Sequence, residues 1–270
     1  MGKVTLALVQ MSPTLNQIER NLAAMARTVE QTSAAQKIDL FVFPELCTTG
    51  YECGVRFGEL ADRLDGRTVE TVAELATRWD TCIAFGMAER QKMESVIYSS
   101  GVLVDAQGEV ALVQQEVHLK AEQRLTFRPG FKLAPGKTRF GQVGLLVGWD
   151  LAFPEVARAL ALDGAELLCV LGSWERPHAH AWRSLVFARA YENAVHVAAC
   201  NRVGTEPTYA FCGESMVVGP TGAVQGRADG AEPAVVVATV DLDEVRAAQE
   251  DTQLLQARQP RSYRQIVKMY

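Results

Sequence analysis

The chain has 270 residues, 48% hydrophobic and 22% charged, with a formal net charge of −5. Its length can bury a large core and no linker interrupts it, so we expect a single domain over residues 1–270 with a polar tail from about residue 250. Because acidic and basic residues are interspersed and no apolar run approaches about 18 residues, the sequence argues against a nucleic-acid-binding surface and against any membrane association.

In the first half of the chain, apolar runs typical of strands alternate with segments whose apolar residues have helical spacing. Apolar residues recur at three and four positions from residue 18 to 29 and again from 69 to 79, which predicts two amphipathic helices, the first starting near Asn16. The predicted strands of this half are Val4–Val9, Leu40–Phe43, Cys82–Met87, Val96–Val104 and Val110–Gln114. Asp105 to Gly108 is a turn signal, so the last two strands should form a hairpin.

The second half continues the alternation. Its predicted strands are Val143–Val147, Leu167–Leu171, Val195–Ala199, Met216–Val218 and Val235–Val240. Helices are predicted from Pro154, over His180–Asn193 and over Asp241–Gln249, and the turn at residues 219–222 should join the last two strands. Strands alternating with helices, with hairpins among them, predict a layered α/β fold whose sheet is not purely parallel.

The most informative stretch is Gly141 to Arg158, GQVGLLVGWDLAFPEVAR. A buried strand ends at Gly148, and Pro154 then opens a helix, so the chain passes through a sharp elbow. An elbow of this kind exposes a nucleophile at the end of a sheet, beside backbone N–H groups that can hold an oxyanion. Here the residue at the tip is glycine, which has no side chain.

Seven short motifs occur in a fixed order along the chain. They are Phe43-Pro44-Glu45 with Thr49-Gly50-Tyr51, Val117-His118-Leu119, Phe127-Arg128-Pro129-Gly130, Trp149 to Glu155, Arg189 to Asn193, Asn201 to Gly204, and Gly213-Glu214-Ser215 running to Gly222. In this order and spacing the chain resembles the nitrilase superfamily, the carbon–nitrogen hydrolases, over essentially its whole length.

The resemblance implies a four-layer αββα sandwich that pairs into a homodimer or a higher homo-oligomer, often with the C-terminal tail crossing to the partner. It implies a small amide-like ligand and no cofactor. Members of the family hydrolyse nitriles or amides with a glutamate, a lysine and a cysteine, by covalent catalysis beside an oxyanion hole.

Only one of the three family positions keeps its residue. Glu45 matches the glutamate that serves as acid and base, whereas Glu116 stands at the lysine position and Gly148 at the cysteine position. Glu116 should therefore lie near Glu45, and at least one of these carboxyls should have a raised pKa if the pocket closes over both. A glycine in place of a side chain should also leave the pocket slightly larger and more acidic than in a relative.

Further positions near these three bear on the site. A further glutamate of the family falls at Gln123 here, but a register shift of one residue would let Glu122 serve. Lys120 is interpreted as a solvated lysine, since replacing the family lysine would require a shift of four residues, about 13 Å of extended chain. Trp149 and Trp174 are expected at the pocket or oxyanion hole.

Several features favour less specific interpretations. Trp182, on a helix that carries dimer contacts in the family, is assigned to an interface. We expect no metal site, because His178 and His180 form an isolated HxH that is more often incidental. The six cysteines lack metal or redox spacing and the N-terminus lacks a signal-peptide pattern, which indicates a reducing cytoplasm.

The sequence leaves three hypotheses on function. The first is a pseudoenzyme that keeps the fold and pocket but lacks thiol chemistry, and binds a small molecule or a partner. The second is an active hydrolase of amides or nitriles in which Glu45, Glu116 and either Glu122 or His118 act as acid and base on a bound substrate or an activated water. The third takes a displaced nucleophile from Cys169, Cys200 or Cys212, although packing is the more common role of a buried thiol.

Overall fold

Two six-stranded mixed sheets form the centre of the computed structural model, which describes residues 2–91, 96–230 and 232–268. The strands are β1 (Lys3–Gln10), β2 (Leu40–Val42), β3 (Cys82–Arg90), β4 (Ile97–Val104), β5 (Val110–Gln115), β6 (Gly136–Lys137), β7 (Gln142–Val147), β8 (Leu167–Gly172), β9 (His196–Asn201), β10 (Met216–Val218), β11 (Val224–Arg227) and β12 (Ala234–Asp241). The first sheet has the order β12-β1-β2-β3-β4-β5, and the second β11-β10-β9-β8-β7-β6.

Helices cover the outer faces of both sheets. The α-helices are α1 (Ile18–Ala35), α2 (Phe57–Leu60), α3 (Arg67–Trp79), α4 (Gln123–Thr126), α5 (Pro154–Leu162), α6 (Ala179–Asn193) and α7 (Asp243–Thr252). Short 3₁₀ helices lie at Gly54–Arg56, Gly148–Ala152, Arg176–His178 and Pro260–Tyr263. Among the described residues, none of the helices combines the length and hydropathy needed to cross a bilayer.

Side-chain alternation along the strands produces the layers. On β1, Leu6 and Leu8 point into the core between the sheets, where Leu145 of β7 also packs, while Ala7 and Val9 face outward to the core under α1 and α3. The outer face of the second sheet packs in the same way against α5 and α6. The predicted four-layer αββα sandwich is confirmed.

Differences from the sequence prediction lie mainly at the ends of elements. The first helix begins at Ile18 and not near Asn16, because Asn16 has a left-handed backbone with φ of +61°. The turn at residues 219–222 leads into β11, a strand that the sequence analysis missed, and β11 pairs with β10. The last strand, β12, instead joins the first sheet antiparallel to β1, so the predicted direct connection from Met216–Val218 to Val235–Val240 is wrong.

Candidate active site

Glu45 lies just beyond the end of β2 and is 1% exposed. The tight turn that carries it packs on Gly86 of β3, where a Cβ would come within 2.6 Å of the Glu45 Cα, so only glycine allows this approach. The hydroxyl of Ser99 on β4 donates to Glu45 Oε1 at 3.2 Å, and the Gln123 amide donates to the same oxygen at 2.9 Å. These contacts fix the carboxyl group at the sheet end, as the sequence predicts.

Glu116 follows β5 and is fully buried beside Glu45. Its backbone N–H donates to the Ser99 carbonyl at 2.8 Å, which extends the pairing of β4 with β5 by one residue. Its Oε1 accepts the backbone N–H of Trp149 at 3.0 Å, and its Oε2 accepts the Gln123 amide at 3.0 Å. Glu116 thus accepts the backbone N–H of Trp149, the residue that follows Gly148 at the elbow.

Gly148 ends β7 and begins the 3₁₀ turn of the elbow with φ of +53°, a conformation that disfavours residues with a side chain. A Cβ built on it would lie 2.5 Å from Glu116 Oε1 and 2.8 Å from Glu45 Oε2. The three predicted site positions therefore meet at one point, which confirms their expected proximity. The extra room expected beside the glycine is filled by the two carboxyl groups.

Burial governs the protonation of this pair. Loss of solvation raises the pKa of Glu45 to about 7, although the hydroxyls of Ser99 and Ser173 and the charge of Arg202 act in the opposite direction. Burial also raises the pKa of Glu116 well above its ordinary value, and the charges of Glu45 and Asp150 raise it further. At neutral pH the pair therefore holds a proton that solvated glutamates would have lost.

Asp150 fastens the elbow to the chain that follows β5. Its buried carboxylate accepts the backbone N–H groups of Val117 and His118 and lies 2.8 Å from His118 Nδ1. The His118 ring in turn stacks on Phe153 at 3.6 Å between centroids. This network holds Glu116 and Gly148 in register with each other.

Gln123, and not Glu122, belongs to the site. Gln123 begins α4 and is buried, and its amide group bridges Glu45 and Glu116. Glu122 is exposed and accepts the Tyr209 hydroxyl at 2.7 Å, so the proposal that it serves as the second glutamate is wrong. A glutamate in place of Gln123 would put a third buried carboxyl group beside the other two, whereas the amide donates to both.

Lys120 is closer to the site than the sequence analysis expected. It lines the same cavity as Glu45 and Gly148, and its side chain is 33% exposed, so its interpretation as a fully solvated lysine is wrong. Its ammonium group binds Glu175 at 3.0 Å. The charge of Lys120 is thus paired away from the two buried glutamates.

Two tryptophans lie at the site, and a third lies in the core. Trp149 and Trp174 both line the cavity, as predicted, and the Trp174 indole N–H donates to the Gly148 carbonyl at 3.1 Å. Trp182 is fully buried within the chain against Gly172, and its indole N–H donates to the Glu214 carbonyl. Its assignment to an interface between subunits is therefore wrong.

All six cysteines are free and buried, and none lines the cavity at Gly148. Burial raises the pKa of Cys212 to about 12, and it raises the pKa of Cys169 and of Cys200. Thiols in such surroundings are poor sources of thiolate, so they act as packing residues. Within the described ranges, no group of three or more His, Cys, Asp or Glu side chains is arranged to hold a metal ion.

Two adjoining cavities belong to the site. The inner cavity, of about 20 Å³, is lined by Glu45, Gly148, Trp149, Trp174 and Lys120, and holds one water-sized group. The outer cavity, of about 200 Å³, is lined by residues of the 51–57 and 122–127 segments and by Tyr209. Tyr51 and Gln123 are walls of both cavities.

Two contributors have no assigned role in the sequence analysis. Ser99 looks like any small residue of a buried strand, so no local signal identifies it. Arg202 is fully buried, pairs with Glu206 and lies over the Phe211 ring at 4.0 Å; its charge lowers the pKa of Glu45. The motif that contains Arg202 could have drawn attention to it, because an arginine between two buried strands needs a partner.

Comparison with known proteins agrees with this architecture. The model of the carbon–nitrogen hydrolase family matches residues 5–250. A "probable nitrilase" of Schizosaccharomyces pombe is 37% identical over 247 residues, which are 90% of this chain and 91% of that protein.

Solved structures show the same fold. A carbon–nitrogen hydrolase from Helicobacter pylori superposes with a TM-score of 0.93 at 24% identity, covering 99% of each chain. A mutant of the amidase from Nesterenkonia sp. AN1, described with the acetamide moiety of fluoroacetamide added covalently at its active-site cysteine, has a TM-score of 0.86 at 25% identity, covering 98% of this chain and 97% of that one. With its αββα sandwich and with the family model spanning residues 5–250, the chain belongs to the carbon–nitrogen hydrolase family.

Proposed function

We propose that this protein keeps the carbon–nitrogen hydrolase fold as a pseudoenzyme that binds a small amide-like ligand and lacks thiol-dependent hydrolysis. The observation that carries the proposal is the position of Gly148, whose missing Cβ would lie within 3 Å of both Glu45 and Glu116. The Nesterenkonia amidase is described as reacting at an active-site cysteine. Here the elbow holds no attacking atom.

The surroundings of Gly148 also differ from what thiol chemistry needs. A carboxylate occupies the Trp149 N–H, a donor that would otherwise be available to an oxyanion. Lys120, which lines the cavity, is paired with Glu175, and the buried Arg202 is paired with Glu206. A negative charge developing on a substrate oxygen at this point would meet two carboxyl groups, and these two cations are both engaged by other carboxylates.

Binding of an amide remains compatible with the site. Glu45 lines the inner cavity and has a pKa raised to about 7, so its carboxyl group can donate to or accept from one end of an amide group. The indole rings of Trp149 and Trp174 supply apolar walls. Because the inner cavity has room for one water-sized group, we assign to it one polar atom of the amide end of the ligand, its oxygen or its nitrogen.

Ammonia release from a panel of small amides and nitriles tests the proposal. We expect no release above buffer from the wild-type chain and measurable turnover from the Gly148→Cys, Glu116→Lys double variant. The double change is needed because a Cβ at position 148 would collide with Glu116 Oε1. The Gly148→Ala, Glu116→Lys variant is the matched control, since it has the same lysine and Cβ without the thiol.

The second candidate is an active hydrolase that uses the carboxyl pair on an activated water. It is favoured by the pKa of Glu45, about 7, because a group that titrates near neutral pH can act as both acid and base. Ammonia release by the wild-type chain that is abolished by Glu45→Gln would support this candidate and contradict the pseudoenzyme. Release that persists in Glu45→Gln would point to contamination, which a mock purification checks.

The same proposal includes a homodimer. Helices α5 and α6 lie side by side on the outside of the second sheet, and each exposes an apolar side chain, Leu162 at 47% and Tyr191 at 52%. Pairing through this face would cover both. Light scattering after gel filtration should give twice the mass of the 29.5 kDa chain, and a monomer would contradict the assignment.

A further inference from the structure

The outer cavity has aromatic walls beside the inner one. Tyr51 and Tyr209 meet edge to face at 5.6 Å between ring centroids, and Phe57 and Phe127 do so at 4.8 Å. All four rings line the cavity. Aromatic faces carry negative partial charge, so a cavity lined by aromatic residues favours an organic cation over an anion.

The charged groups of the outer cavity are both negative. Among the described residues that line it, Glu52 and Glu122 are the only charged ones. The Glu52 carboxylate is held in place by the backbone N–H groups of Thr208 and Tyr209 at 2.9 to 3.2 Å, and Glu122 by the Tyr209 hydroxyl. Neither of these contacts supplies a positive charge.

The nearby basic side chains are directed elsewhere. Lys120 binds Glu175, Arg124 Nε donates to the Leu119 carbonyl, and Arg56 pairs with Glu59. The hydrogen bond to Glu122, with burial and the charges of Glu122, Glu175 and Glu52, raises the pKa of Tyr209 to about 12. These carboxylates thus disfavour a further negative charge at Tyr209, one of the residues that line the cavity.

We propose that the outer cavity binds the cationic end, an ammonium or a guanidinium group, of a small amide whose other end reaches the inner cavity. The inference rests on the proposed function for its amide end alone. Tyr51 and Gln123 border both cavities, so the cavities adjoin there, and the proposed ligand would pass these two residues with one short aliphatic chain. The volume of about 200 Å³ is below that of a drug-sized site, which limits the ligand to such a chain.

Ligand-observed NMR titration of the wild-type protein tests this selectivity with compounds of matched length. The probes are 5-aminopentanamide, which is cationic, hexanamide, which is neutral, and 5-amino-5-oxopentanoate, which is anionic. We expect the cation to bind at least about fivefold more tightly than hexanamide, as a screened ion pair with a cation–π contact allows, and the anion to bind most weakly. Equal binding of the cationic and neutral amides would overturn the inference and leave the proposed function intact.

Pentylamine separates the two proposals further, because it has the cation and lacks the amide. It should bind the outer cavity and compete with 5-aminopentanamide. If pentylamine binds as tightly as 5-aminopentanamide while hexanamide does not bind, the amide end of the proposed function fails and the cation site stands. If neither pentylamine nor 5-aminopentanamide binds, the cation site is refuted.

Charge-removing variants locate the selectivity. Glu122→Gln should reduce the preference of 5-aminopentanamide over hexanamide by about threefold, and adding Glu52→Gln should abolish it. Glu74→Gln, which removes an exposed carboxylate from α3, is the matched control and should leave the preference unchanged. Thermal melts of each variant confirm folding, and a preference that survives both substitutions would refute the assignment.

Discussion

The Glu45→Gln substitution tests the electrostatics of the buried pair most directly. Glutamine keeps the shape of the side chain, and its amide oxygen can accept from the Ser99 hydroxyl and the Gln123 amide as Glu45 Oε1 does. Its NH₂ group would then take the place of Glu45 Oε2, on the side of Gly148. The variant therefore removes one ionisable group with little change in packing.

The expected effect depends on pH with a definite sign. In the folded protein the pKa of Glu45 is raised from 4.5 to about 7, so the native state binds this proton more tightly than the unfolded chain does. Below pH 4.5, Glu45 is protonated in both the folded and the unfolded state and does not lower the free energy of unfolding. As the pH rises from 4.5 to 7, the unfolded chain ionises more readily than the folded protein, and the free energy of unfolding falls. Above pH 7 this loss is complete. At about 1.4 kcal/mol for each pH unit, the loss is about 3 kcal/mol.

Urea denaturation at pH 5 and pH 8, at one protein concentration, measures this difference. Glu45→Gln should match the wild type within about 1 kcal/mol at pH 5 and exceed its free energy of unfolding by about 3 kcal/mol at pH 8. The exposed Glu74→Gln variant should retain the wild-type dependence on pH. If the Glu45→Gln protein is no more stable than the wild type at pH 8, then burial does not disfavour the ionised form of Glu45 as described.

Three further predictions follow from the packing of the site and core. Gly148→Ala should lower the free energy of unfolding by about 2–4 kcal/mol, because φ is +53° and the new Cβ meets carboxyl oxygens. The same substitution should cost less in a Glu116→Ala background, which a double-mutant cycle would measure. The native protein should react with a thiol reagent at fewer than one of its six buried cysteines, against all six in denaturant, and fast native labelling would contradict the assigned burial. Glu206→Gln should cost about 3–5 kcal/mol in denaturation experiments because it leaves the buried charge of Arg202 uncompensated, whereas a change below 1 kcal/mol would show that Arg202 finds another partner.

The sequence by itself determined most of the longer strands and helices and nominated Glu45, Glu116 and Gly148 as site positions. Hydrophobic spacing located β7 to within a residue, and Pro154 marked the start of α5, because a buried strand and an amphipathic helix impose different periods on the chain. Motif order placed Glu45, Glu116 and Gly148 just after three predicted strands, which the structure shows to be β2, β5 and β7 of two different sheets. Their meeting at one point followed, since the family fold brings those strand ends together.

Tertiary structure alone decided the rest, because it depends on contacts between distant residues. Periodicity cannot say that β12 crosses to pair with β1, or that the ring of Trp182 points into the core. Gln123 and Glu122 are adjacent in the sequence, so motif spacing could not say which of them enters the site. The structure places Gln123 there, where its amide donates to both Glu45 and Glu116. The pairing of Lys120 with Glu175 spans 55 residues, so no local pattern could assign that charge to its partner.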